Sequence, residues 1–350
     1  LGAALTTSNS STIRPRTPTG KGVGTVAFCM PSDVAVSGMT HVTVRPRGPY
    51  ALDATLSCGQ AFRFRQVGDA FEGVCGDLAM RVERGNTTLD ISFIADSGGI
   101  ERVVDFLDLE HDITEPADES LDFLCRRFPL SAGLLHDVFL YSRGTHLLRQ
   151  PILETIVGYL LSVQSTVSLT GRRLNTIAGL FPSNRRTVAG SDLYLFPSVD
   201  ELRTLTASTV ESLRLGYRSS WFLGLLAGLP DEATLQSLRT TSSKERQGYF
   251  RGFEGIGPKV AACIDLFAYG GNEAFPIDVW VDRGLRRVLG MTSAEICDVR
   301  EDPVDMFGPH CGLFGEYLFR YERDHGVQPA RHRVSVEPSL LPPHSSDRAE

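Results

Sequence analysis

The 350-residue chain carries only seven cysteines, at positions 29, 58, 75, 125, 263, 297 and 311, and no C-x-x-C pair. An odd, scattered set argues against both a disulfide framework and a zinc site, so no metal or cofactor is expected. No apolar run reaches the ~18–20 residues of a membrane helix. Residues 1–30 lack the charged start and continuous apolar core of a secretory signal. The chain therefore reads as soluble and intracellular. A basic excess is missing too. The formal net charge of −7 is weak evidence against a nucleic-acid partner, for which local charge matters more. No solenoid-type repeat occurs. What is present is an ordinary globular composition, 42% hydrophobic, at a length that holds one large domain or two to three small ones.

Residues 1–39 are rich in Ser, Thr, Gly and Pro without periodicity and read as a disordered extension. Because the chain begins with Leu and Met39 precedes the first strand-like run, translation is expected to start near Met39. Native peptides from residues 10–30 in a mass spectrum would refute that. Residues 40–130 read as an antiparallel α+β domain. Phe62 and Phe64 alternate with Arg63 and Arg65, and Leu78, Met80 and Val82 with Ala79, Arg81 and Glu83. Residues 131–326 read as helix after helix, an all-α domain, and 327–350 as a disordered tail. The fold class is α+β, a sheet domain followed by a helical one.

The chain is organised around Phe250 to Arg283. Gly255-Ile256-Gly257 makes a turn, and Pro258 suits the first position of a helix. Val260, Cys263, Ile264 and Phe267 then form an apolar stripe, which Gly270-Gly271 closes. After Phe275-Pro276, Asp278 stands where another helix begins. The preceding segment is helix-compatible, so the unit reads helix, hairpin, helix. Its free backbone N–H groups suit a phosphate. Lys259 sits in the first turn, where the helix dipole disfavours a cation and so favours the neutral amine a nucleophile needs. Singly, Lys259 is an ordinary surface lysine and Asp278 a plain N-cap.

Together, G-I-G-x-K-V-A followed by F-P-I-D-V resembles the helix-hairpin-helix, Gly-Pro-Asp superfamily of DNA glycosylases. By that resemblance Lys259 is the nucleophile and Asp278 the essential carboxylate, with Gly255 and Gly257 in the DNA-binding hairpin. Cysteines after the aspartate number two, Cys297 and Cys311, too few for the members that hold an iron–sulfur cluster. Leu52-Asp53 through Leu56-Ser57-Cys58-Gly59-Gln60-Ala61-Phe62-Arg63-Phe64 is similar to the N-terminal signature of the 8-oxoguanine DNA glycosylase family. That family implies a sheet domain ahead of the helical core. It also implies a bifunctional glycosylase and abasic-site lyase of base excision repair, a monomer acting on damaged double-stranded DNA in cytoplasm, nucleoid or nucleus.

The same resemblance assigns the base pocket. Gly59 would offer its carbonyl to N7–H of 8-oxoguanine, where guanine itself has an acceptor. Cys263 and Phe319 would sandwich the base. Tyr217 and Arg218 would face the orphaned partner base, and Gln164 would fill the vacated stack. Three positions depart from the pattern. Gly315 replaces a glutamine that reads the base edge, which predicts a looser lesion range. Ser168 replaces a second arginine, which predicts weak opposite-base preference. Trp280 replaces a common histidine. Two other functions fit less of the pattern. An alkyl-purine glycosylase of the same fold typically lacks the lysine, and a non-catalytic hairpin DNA-binding module needs neither the aspartate nor the Gly59 segment.

Overall fold

The computed structural model describes Phe28–Cys29, residues 38–95 and residues 99–326. The expected tail at 327–350 and most of the expected extension lie outside these residues. Strands β1 (Phe28–Cys29), β2 (Thr40–Val44), β3 (Phe64–Val67), β4 (Ala70–Cys75), β5 (Leu78–Arg84) and β6 (Leu89–Ala95) form one antiparallel sheet in the order β1-β2-β6-β5-β4-β3. Within the expected extension, Phe28 and Cys29 thus pair with Val44 and Thr43.

Alternation sets the inner face. Val42, Val44, Leu78, Met80, Val82, Ile91 and Phe93 are buried against α1 (Leu52–Ser57) and α2 (Ile100–Phe106). The outer face is not simply solvated. A hairpin, β7 (Arg185–Val188) with β8 (Ser191–Tyr194), reaches back from the otherwise helical half and buries Val74 and Ala79 beneath Val188 and Leu195. The region expected to be all-α therefore contains strands. Two further expectations change. Phe62 precedes β3 and packs edge-on against Tyr159 at 5.1 Å. Arg63 is buried, donating to Asn175 at 2.8 Å and pairing with Glu154 at 3.4 Å.

The helical half contains α3 (Thr114–Arg127), α4 (Ala132–Ser142), α5 (Ile152–Ser162), α6 (Val167–Gly179), α7 (Val199–Arg203), α8 (Ala207–Ser212), α9 (Arg218–Gly228), α10 (Glu232–Ser237), α11 (Ser243–Phe250), α12 (Pro258–Tyr269), α13 (Val279–Leu289), α14 (Ser293–Glu301), α15 (Pro303–Phe307) and α16 (Cys311–His325). One apolar core gathers α5 to α12. A second gathers α3 and α4 with α13 to α16, so Leu124 of α3 packs with helices and not with the sheet. From Val260 onward every residue of α12 is buried, as befits a helix surrounded by others. Its N-terminus opens at the seam between the two helical cores. Among the described residues no helix is long and apolar enough to cross a membrane.

Candidate active site

The hairpin before α12 is built by steric necessity. Gly255 has φ +84°, and a Cβ there would stand 2.5 Å from the Trp221 ring, so a side chain is excluded twice over. Ile256 turns into the core and donates its N–H to the Phe253 carbonyl at 3.1 Å. Gly257 caps α12 without a side chain and Pro258 follows at its first position, which leaves the first free N–H groups facing outward. Beneath, Asp265 of α12 is fully buried and accepts from Arg246 of α11 at 2.6 Å and from Ser243. That pair locks the two helices at the angle that presents the hairpin.

Lys259 is the second residue of α12. Its Nζ lies 5.2 Å from the centre of the Tyr159 ring, close enough for a cation–π contact, and it hydrogen-bonds Cys263 one turn on. Burial is the strongest single influence on the amine and pushes its pKa down. Cys263, Asp278 and Glu316 together outweigh it, and the net shift is upward. The helix dipole had suggested the opposite sign. The resting side chain is an ammonium, and Cys263 beside it, pushed up to about 11 chiefly by burial, is a thiol.

Asp278 caps α13. Its Oδ1 accepts from the backbone N–H groups of Trp280 and Val281, each at 2.9 Å. The capping bonds fix the carboxylate's orientation while it shares a cavity with Lys259. The N-cap reading holds, and the cap leaves Asp278 lining the cavity that Lys259 also lines.

That cavity, about 740 Å³, is lined by Lys259 and Asp278 together with Gly59, Cys263, Phe319, Gln164, Gly255 and Gly257. Eight of the ten residues given a site role in the sequence meet here, from three separately packed parts of the chain. Gly59 arrives from the sheet side with φ +107°. The residue after it, Gln60, is buried and holds the segment in place. Its amide donates to the carbonyls of Thr55 (3.1 Å) and His146 (2.9 Å), and its own carbonyl accepts from Gln150 and Tyr159. Arg323 of α16 abuts the same segment, donating to the Cys58 carbonyl and lying over the Phe319 ring at 5.6 Å. Sequence reasoning passed over Gln60, Tyr159 and Arg323 as site residues. The signal available was Glu316, Phe319 and Arg323 spaced along one face of α16.

Tyr217 and Arg218 do not line the cavity. Arg218 is buried, donating to the carbonyl of Val163 at 2.9 Å and of Gln164 at 3.0 Å. Tyr217 is exposed and its hydroxyl lies 3.1 Å from the Gln164 side chain. Three further arginines of the helical half are paired with carboxylates: Arg185 with Asp192 at 2.5 Å, Arg286 with Asp282 at 2.9 Å, and Arg287 with Glu322 at 2.5 Å. Arg172 and Ser168 bond each other at 3.1 Å on the exposed face of α6.

No family model matches the chain. It is similar to N-glycosylase/DNA lyase OGG1 of Arabidopsis thaliana, 25% identical over 238 residues that cover 66% of this chain and 64% of that one. The chain thus spans less than two thirds of that relative's length. Two solved structures superpose with TM-scores of 0.70. One is Clostridium acetobutylicum 8-oxoguanine glycosylase/lyase with double-stranded DNA containing cytosine opposite 8-oxoguanine, 24% identical. The other is MBOgg1 with a low-affinity DNA ligand, 25% identical. Each comparison covers 82% of this chain and 96% of the other.

Proposed function

We propose, from the chain's kinship with the 8-oxoguanine DNA glycosylase family, that it is a bifunctional DNA glycosylase and abasic-site lyase that removes oxidised purine from duplex DNA. The observation that carries this reading is the shared cavity. An amine at a helix N-terminus and a capping carboxylate from the next helix face a space large enough to admit a nucleobase, whose wall includes Gly59, Cys263 and Phe319.

The lesion would be extruded from the duplex at a cost of a few kcal/mol, offset by stacking between Cys263 and Phe319 and by edge contacts. Gly59 would accept from N7–H. Lys259 would shed a proton and attack C1′ as the C1′–N9 bond breaks, and the departing base would take up a proton. Asp278 stabilises the positive charge that develops on the sugar. Transfer of a second proton from the nitrogen to O4′ breaks the C1′–O4′ bond and opens the sugar to a Schiff base, and β-elimination then nicks the strand 3′ to the lesion. Such an enzyme acts where the cell keeps its DNA.

Borohydride reduction of the protein on 8-oxoguanine-containing duplex tests the reading. The wild type should be trapped as a covalent adduct. Lys259→Gln should lose trapping and nicking but keep binding, because the hairpin N–H groups are untouched. Undiminished trapping in Lys259→Gln would assign the nucleophile elsewhere.

A further inference from the structure

Glu316 lies on α16 and lines the same cavity as Lys259, Asp278 and Gly59. Only 7% of it is exposed, and its Oε1 has no hydrogen-bond partner among the described residues. A buried carboxyl oxygen without a donor is unfavourable, and such a group calls for an explanation. Burial is the largest influence on the carboxyl and holds its pKa above the usual carboxylate value. The Cys58 thiol hydrogen-bonds it and Arg323 and Arg320 face it as cations, which favour the ionised form, while Asp278 faces it as an anion. A carboxylate has about four lone-pair sites, so the thiol leaves both oxygens able to accept. Gly315, the preceding residue, offers no side chain, and a Cβ there would stand 3.0 Å from the Phe275 ring. The side chain waiting for donors at this wall is therefore Glu316.

We propose that Glu316 reads the Watson–Crick edge of the extruded purine and gives the pocket a preference for bases that carry a 2-amino group. The proposal rests on the glycosylase reading above and adds to it a specificity determinant. An ionised carboxyl accepts and does not donate. Guanine and its 8-oxo form place two donors, N1–H and the 2-amino group, side by side, which two carboxylate oxygens can meet together. A hypoxanthine-type base lacks the second donor. An adenine-type base presents an acceptor at N1, which faces the carboxylate unfavourably. An amide in the same place would behave differently, because its one acceptor and one donor match N1–H and O6, a pair that guanine and hypoxanthine share.

The test compares single-turnover excision of 8-oxoguanine and of 8-oxohypoxanthine, each opposite cytosine. Wild type should favour 8-oxoguanine by on the order of tenfold or more, the worth of one hydrogen bond to a charged acceptor. Glu316→Gln should bring the ratio to about 1. Using a ratio cancels any general effect of the substitution on Lys259 or on folding. Glu316→Asp, which keeps the charge but withdraws it by one methylene, should give an intermediate ratio, and it serves if the glutamine variant does not fold. A wild-type ratio preserved in Glu316→Gln, or in Glu316→Asp where only that variant folds, overturns the proposal while leaving the glycosylase reading intact. Failure of the wild type to excise 8-oxoguanine at all overturns both.

Discussion

Arg218 holds Gln164 in a left-handed conformation from behind. Gln164 has φ +48°, unusual for a residue with a side chain, and the buried Arg218 guanidinium donates to its carbonyl at 3.0 Å and to that of Val163 at 2.9 Å. The turn so braced forms part of the cavity wall and aims Gln164 outward.

Arg218→Ala should therefore act through the turn. It leaves two carbonyls without their charged donor, a loss of about 2–3 kcal/mol, visible as a lowered denaturation midpoint together with slower lesion excision. Tyr217→Phe, which removes only an exposed hydroxyl contact, should cost about 1 kcal/mol or less. Equal stability of Arg218→Ala and wild type would show that the brace is not needed.

Gly59→Ala meets two obstacles. The residue would have to adopt φ +107°, and its Cβ would lie 3.0 Å from Val167 Cγ2. Moving the backbone also displaces the carbonyl proposed to face the base. Discrimination carried by such an edge contact is worth ~1–3 kcal/mol, so 8-oxoguanine excision should fall about ten- to a hundredfold further than abasic-site cleavage does. Parallel loss of the two activities would make Gly59 merely structural.

The raised pKa of Lys259 has a kinetic signature. A nucleophile must be the free amine, which is the minor form below the pKa, so the rate of covalent trapping should climb with pH through neutrality instead of levelling off there. Asp278 is one of the groups that raise it. Asp278→Asn preserves the N-cap, since asparagine caps as well as aspartate. It should slow excision by orders of magnitude, yet shift the pH profile of trapping toward lower pH. A profile displaced upward, or not at all, would contradict this electrostatic coupling.

Asp108 carries a pH dependence of stability. Burial alone would raise its pKa, but hydrogen bonds from His111 and His146 and the charge of Arg149 prevail and hold it well below the usual carboxylate range. A depressed carboxylate contributes stability above its unfolded pKa of about 3.9, and that contribution is lost as pH falls below this value toward the folded pKa. Between pH 5 and pH 3 the wild type should lose about 1–2 kcal/mol more than Asp108→Asn does in denaturant titrations, about one pKa unit's worth per pH unit. An equal loss in both proteins would remove Asp108 from the account.

Much of the site was legible in the chain itself, because the features concerned are short-range. A Gly-x-Gly turn, a proline at a helix start and an N-capping aspartate are set by backbone sterics and by bonds to neighbours within four residues. Lys259 and Asp278 accordingly stand where their surroundings in the sequence put them, and the alternation of β5 and β6 marked the buried face of the sheet. The antiparallel sheet ahead of a helical half followed from the same local signals.

What the tertiary structure alone decided depends on partners far apart in the chain. Arg218 reads as a surface arginine until Val163 and Gln164 are folded against it, and Arg63 until Glu154 and Asn175 are. Ala79 reads as solvent-facing until the β7–β8 hairpin, a hundred residues later, covers it. The charge state of Lys259 turned on the same kind of contact. Its place in the first helical turn argues for a neutral amine, but Cys263 one turn on, joined by Asp278 and Glu316 brought in by α13 and α16, reverses the sign. Electrostatic energy sums over distance in space, whereas sequence records distance along the chain, and the two differ most at a seam between packed cores.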